Sequence, residues 1–192
     1  MVTMVPGLKV VCPTNAYDAK GLLTRAIRDN DCVIFVEDKF LYETSCEVPD
    51  EPYEIPFGEA NFYREGTDVT IVGISNTVNK AIAVADRLSG EGISCDVIDP
   101  RTTSPLDEEA IIESVETTGR LVVVDEMPPR CGIAADIASM VAEKAFGALR
   151  APIRKVTAAH SPIPFAPDLE DAWMPQEADI ESAVRDVLGY AR

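Results

Sequence analysis

Four short stretches hold residue types that can do chemistry. AAHSPIPFAPDLEDAWMP, residues 158–175, contains the single histidine of the chain, His160, and its single tryptophan, Trp173. Histidine ordinarily titrates near neutral pH, so His160 is the first candidate for acid–base work. In DVIDPRTTSPLD, residues 96–107, a β-branched run ends in Asp99 and Arg101. Functional residues of open α/β sheets gather at the carboxyl ends of strands, which makes both candidates; a pair that fixes the turn is the plainer alternative. VVVDEMPPRCG, residues 122–132, repeats the pattern, with Asp125 and Glu126 ending a strand. Cys131 follows just before a helix start, where a thiol can be activated, although an unreactive turn cysteine fits the same position. Lastly, Asp29, Asn30 and Asp31 close a predicted helix. The last carbonyls of a helix lack partners, so extra oxygen ligands there can hold a monovalent cation or simply form a polar loop.

These residues need elements to position them. LKVVC (8–12) and CVIFVE (32–37) read as strands flanking a helix over 18–30, with Asp18 as N-cap and Leu22, Leu23, Ala26 and Ile27 as one apolar stripe. This is a βαβ unit with parallel strands. Residues 43–66 lose all helical period and carry three prolines and two glycines, so they read as a surface linker with a short strand near Ala60–Tyr63. Further strands are predicted at 68–74, 94–100, 120–126 and 153–157, alternating with helices near 76–89, 107–117, 132–148 and 177–189. The acidic first turn after Asp107 suits a helix start, and Ile133, Ile137, Met140, Val141 and Ala145 form a core-facing stripe. The fold class is therefore α/β, a three-layer, largely parallel sheet covered on both faces. The leading unit shows only two strands, too few to bury both faces of a sheet, so it is expected to be the remnant of a truncated domain. The expected division is 1–45 for that piece, 46–66 for the linker and 67–192 for a complete second domain.

The bulk properties exclude several classes. A net charge of −16 repels phosphates, which argues against nucleic acid or an anionic membrane as partner. No apolar run is long enough to cross a bilayer and no signal segment opens the sequence, so a cytoplasmic location is expected. The five cysteines include no CxxC pair and fit neither a disulfide framework nor a zinc site. Cys12, Cys32 and Cys95 lie in or beside strand-like runs and are expected to be small buried hydrophobes. No GxGxxG, GxxxxGK[ST] or GxSxG motif occurs, so no phosphate cradle or nucleophile elbow is present.

The stretches PGLKVVCPTNAYDAKGLLTRAIRDND, YEIPFGEANFYREGTDVTIVG, EGISCDVIDPRTTSPLD, TGRLVVVDEMPPRCGIAADIA and HSPIPFAPDLEDAWMP together resemble the β subunit of thiamine-diphosphate-dependent 2-oxo acid dehydrogenases. DPRTTSPLD, PRCG and HSPIPF most resemble acetoin dehydrogenase β chains. The resemblance implies a transketolase C-terminal-domain-like fold preceded by the last βαβ piece of a pyrimidine-binding domain. It implies a heterotetramer of α and β chains, with thiamine diphosphate and magnesium held between them. The reaction implied is carbon–carbon cleavage with transfer of a two-carbon unit to a lipoyl acyltransferase component. Pyruvate and branched-chain 2-oxo acid dehydrogenase β chains are the sister reading, and a non-catalytic dimerisation or docking module is the reading of another class.

Carried over residue by residue, the resemblance yields no catalytic and no cofactor-binding residue here: the family's activating glutamate and β-chain histidine belong upstream of PGLKVV. The chain alone is therefore expected to be inactive. His160 becomes a subfamily marker in a loop near a subunit interface. A family potassium site carries over to Ala26, Ile27, Asp29 and Asp31, largely through backbone oxygens, although the family often has asparagine at position 31 and proline at position 32. Where related chains carry an aspartate that helps to dock the acyltransferase, this one has Arg150, so docking would fall to carboxylates such as Asp168, Glu170 and Asp171.

Overall fold

The computed structural model describes residues 2–190. The leading unit comprises β1 (Lys9–Val11), α1 (Ala16–Arg28) and β2 (Val33–Phe35), with β1 and β2 parallel. It has a third strand that the sequence did not suggest: β6 (Thr102–Ser104) pairs antiparallel with β1, giving the order β2-β1-β6. The two predicted strands are thus completed by residues from the second half of the chain. A small core of Val11, Leu22 and Ile55 lies beneath α1.

Three expectations about this unit are corrected. The N-cap of α1 is Asn15, whose side chain accepts from the Asp18 N–H at 2.8 Å; Asp18 is drawn inward instead. The expected apolar stripe splits, because Leu22 is fully buried while Leu23 and Ile27 are 44% and 75% exposed. The reason is the line of closest approach. A Cβ on Gly21 would stand 2.6 Å from Ile55, so α1 leans on the 53–57 strap along its Asp18–Gly21–Leu22 edge. Cys32 is exposed, because β2 begins only at Val33 and leaves it in the preceding turn; Cys12 and Cys95 are buried as expected.

Residues 53–55 tie the strap to α1: the Tyr53 hydroxyl donates to Tyr17 O, Ile55 N–H to Gly21 O, and Glu54 pairs with Arg28. The chain then forms β3 (Asn61–Arg64), the antiparallel edge of the main sheet. The rest of that sheet is parallel: β4 (Val69–Gly73), β5 (Cys95–Asp99), β7 (Leu121–Asp125) and β8 (Arg154–Thr157), in the order β3-β5-β4-β7-β8.

The period-2 alternation along β4 divides the core. Val69 and Ile71 face α2 (Asn76–Ser89) and α6 (Glu177–Leu188), packing with Val84, Leu88, Ile180 and Val184. Val72 faces α3 (Glu108–Thr118) and α4 (Ile133–Lys144), packing with Ile111, Val115, Ile137 and Val141. Helices on both faces of a parallel-rich sheet make the three-layer α/β architecture expected from the sequence. A further helix, α5 (Pro167–Trp173), stands where the sequence suggested only a loop, with proline in its first turn.

The strand order sets the place for a site. From β4 the chain moves outward to β5 on one side and later returns to β7 on the other, so it reverses across β4. Loops leaving the carboxyl ends at such a reversal diverge and open a crevice. No helix among the described residues is long and apolar enough to cross a membrane.

Candidate functional site

The crevice is a cleft of about 940 Å³ between the leading unit and the carboxyl ends of β4 and β7. Its walls are the Val36–Phe40 segment, Ile74 and Ser75, the Asp125–Met127 turn, the start of α4 and the Trp173–Met174 end of α5. Six acidic residues line it, Glu37, Asp38, Asp125, Glu126, Asp136 and Glu170, and Asp38, Asp125 and Glu126 carry buried carboxyl oxygens. Asp125 is 3% exposed and accepts from the Met127 N–H at 3.1 Å. Burial pushes its pKa up, and the Met127 and Ala134 N–H groups pull it partly back. Glu126 is partly buried, and desolvation followed by the charge of Asp38 pushes its carboxyl up to about 7 against the opposing pull of Lys80. Asp38 caps the 3₁₀ turn Lys39–Glu43 by accepting from the Phe40 N–H at 2.9 Å.

Cys131 also lines the cleft, exposed and in the left-handed region at φ 58°, one residue before the Gly132 N-cap of α4. Cys12 is the opposite case. Burial and the nearby Asp99 and Asp125 push its thiol up to about 12, so it stays protonated and inert near neutral pH.

Asp99 and Arg101 lie behind the cleft, where the leading unit meets the main sheet. Asp99 Oδ1 accepts from the Arg101 backbone N–H at 2.8 Å and so fixes the turn after β5. The Arg101 guanidinium, however, turns to Asp18, at 2.8 Å from Oδ1, with the two side chains 14% and 1% exposed. Asn15 donates to Asp18 Oδ2 at 3.0 Å and to the Tyr63 hydroxyl, and the Arg101 carbonyl accepts from Cys12 N–H at 2.8 Å. Asp99 is wholly buried, which pushes its carboxyl up to about 7; burial raises Tyr63 as well. This cluster joins two parts of the chain and has no exposed reacting group.

At the end of α1, the Lys9 ammonium lies 2.7 Å from Asp29 Oδ1 and 3.0 Å from Asp31 Oδ2, and Arg25 approaches Asp29 at 3.6 Å. Lys9 holds the Asp29 carboxyl below the usual range. With these side chains already facing cations, a metal ion would find its oxygen donors only in the backbone carbonyls of Ala26, Ile27, Asp29 and Asp31. Among the described residues no group of three or more histidine, cysteine, aspartate or glutamate side chains is placed to hold a metal.

The remaining candidates scatter. His160 is exposed and outside the cleft. Asp168 and Asp171 are exposed on α5, while Glu170 lines the cleft. Arg150 borders a separate hollow with Phe146 and Tyr190. Asp18 and Asp38 are the residues that sequence reasoning missed. Asp18 looked like a helix cap, and Asp38 stands just past a strand end with no pattern to mark it. A diphosphate does not fit the cleft: the buried polar atoms of Asp38, Asp125 and Glu126 that lack partners are carboxyl oxygens, which repel it.

Comparison with known proteins follows the two halves of this architecture. Residues 58–180 match the family described as transketolase, C-terminal domain, and residues 1–44 that described as transketolase, pyrimidine binding domain. The acetoin:2,6-dichlorophenolindophenol oxidoreductase subunit beta of Cupriavidus necator is 54% identical over 188 residues, covering 98% of this chain and 56% of its own length. The subunit of the same name from Bacillus subtilis is 51% identical over 189 residues, covering 98% and 55%. The pyruvate dehydrogenase E1 component subunit beta of Bacillus subtilis is 44% identical over 191 residues, covering 99% and 58%. The chain thus spans a little over half the length of these relatives. Among solved structures, a split gene transketolase described as an inactive beta4 tetramer superposes with a TM-score of 0.82 at 24% identity, covering 99% of this chain and 61% of that one.

Proposed function

The chain belongs to the transketolase family through its C-terminal domain, and from that premise we propose that it is the C-terminal part of the β subunit of an acetoin dehydrogenase. The observation that carries this reading is the 54% identity to an acetoin oxidoreductase β subunit across 98% of the chain. In this reading residues 1–45 belong to the pyrimidine-binding domain, 46–66 link, and 67–192 form the C-terminal domain. Their work is assembly. The Asp18–Arg101 cluster fixes the leading unit against the main sheet, and the cleft and α5 offer surface to an α subunit, a second β chain and a lipoyl acyltransferase.

Carbon–carbon cleavage and two-carbon transfer belong to that whole cytoplasmic assembly. The buried carboxyl oxygens of the cleft do not suit the diphosphate of thiamine diphosphate, so no step through the cofactor falls to these residues. The pyruvate dehydrogenase reading is second, supported by 44% identity to a pyruvate dehydrogenase β subunit.

A chimera separates the two. Residues 2–190 replace the matched part of the Cupriavidus necator β chain, which is expressed with its own α subunit. Acetoin-dependent reduction of 2,6-dichlorophenolindophenol is the expected result, and activity with pyruvate alone would overturn the assignment. The 192-residue chain by itself is expected to show no micromolar binding of thiamine diphosphate by calorimetry, and such binding would refute the cofactor statement.

We also propose that the carbonyls of Ala26, Ile27, Asp29 and Asp31 form a potassium site. Crystals soaked in a thallium salt should show an anomalous peak beside these carbonyls, and a clean map there removes the site.

A further inference from the structure

The cleft leaves a specific chemical demand unmet. Asp38 Oδ2, Asp125 Oδ2 and Glu126 Oε1 are buried with no N–H or hydroxyl donor in hydrogen-bond geometry, and the Asp38 and Glu126 carboxyls face each other. Buried acceptors without donors cost free energy that an incoming donor recovers. The surrounding wall is mostly apolar, with Lys39, Ser75 and Ser139 also on it, and two of its residues, Phe40 and Met127, stay more than half exposed at 55% and 53%. Ile133, Trp173 and Met174 continue it. Lys80, the cation that acts on Glu126, is already donating to the Pro175 carbonyl at 2.7 Å. Among the described residues no three of these carboxyls are grouped to hold a metal.

A partner that satisfies all of this carries a broad, weakly hydrated cation with several N–H donors, next to hydrocarbon. Arginine meets that description better than lysine, because its planar fork reaches more than one carboxyl oxygen and its stem packs on apolar side chains. The 33 acidic against 17 basic residues of the chain steer a basic partner toward it. We propose that this cleft is the seat of a basic segment of a partner chain, an arginine side chain flanked by apolar residues. The inference rests on the proposed function in placing a partner chain at this cleft and adds the chemistry of the segment that enters it; peptide binding tests that chemistry apart from the acetoin assignment.

Trp173 lines the cleft and is the single tryptophan, so its emission reports on occupancy. The probes are acetyl-Leu-Arg-Phe-amide and the same peptide with neutral citrulline for arginine, titrated into the full chain. Saturable change in Trp173 emission is expected, with the arginine peptide bound about tenfold tighter, the scale of charge-assisted hydrogen bonds. Asp38→Asn with Glu126→Gln should abolish that preference, while far-ultraviolet circular dichroism and urea midpoint confirm that the variant folds. Equal affinity of the two peptides, or no response to either, overturns the proposal. So does emission that changes with protein concentration alone, which would mean that a second copy covers the cleft.

Discussion

Replacing Arg101 by alanine is expected to lower the unfolding free energy by about 3–5 kcal/mol, the range for removing one partner of a buried ion pair. The size follows from what stays behind. Asp18 is 1% exposed and would be left buried with only Asn15 and Tyr63 beside its carboxyl group. The loss is confined to the side chain, which meets α1 at Asp18, because alanine keeps the backbone carbonyl that accepts from Cys12 N–H. Equilibrium urea unfolding measures the change. A control separates the charge from the packing: Asp18→Asn combined with Arg101→Met removes both charges at similar volume and should recover most of the stability. A double variant as unstable as Arg101→Ala would show that the ion pair is not the source.

The second large effect is on pH. Asp99 has an ordinary pKa of 3.8 when unfolded and about 7 when folded, because complete burial penalises the charged form. Between those values the folded chain holds a proton that the unfolded chain has released. The resulting stability is fully present below about 4 and is lost as pH rises through about 7. From pH 5 to pH 8 the loss from Asp99 amounts to about 2–3 kcal/mol. Glu126, also raised to about 7, acts in the same direction. Asp29 and Glu54 have lowered values, and their contribution is lost in acid, so the optimum is expected near pH 5. Urea midpoints at pH 5, 6.5 and 8 should therefore fall steadily. Asp99→Asn should flatten much of that slope, since the amide oxygen still accepts from Arg101 N–H. An unchanged slope in this variant would place the titrating group elsewhere.

How much of this was legible beforehand depends on the range of the interaction. The apolar runs of β4, β5 and β7 and the stripe of α4 depend on local periodicity, and both core layers follow from it. Asp99, Arg101, Asp125 and Glu126 were legible as strand-end residues because the ends of buried runs are sharp. Asp18 and Asp38 were not. Asp18 was read as a cap because caps are local, whereas its real partner lies at residue 101. Leu23 and Ile27 misled for a related reason: an apolar stripe says that a helix has a face to cover, not what covers it.

The sequence by itself therefore determined the α/β class, the order of the main elements and the family resemblance, all carried by short-range pattern and motif wording. Tertiary structure alone decided that β6 completes the first sheet, that Arg101 pairs with Asp18 rather than Asp99, and that Asp38 comes to stand beside Glu126. Those three outcomes join residues far apart in the chain. They depend on the reversal of strand order across β4 and on which buried charges find partners, quantities that no local window of residues encodes.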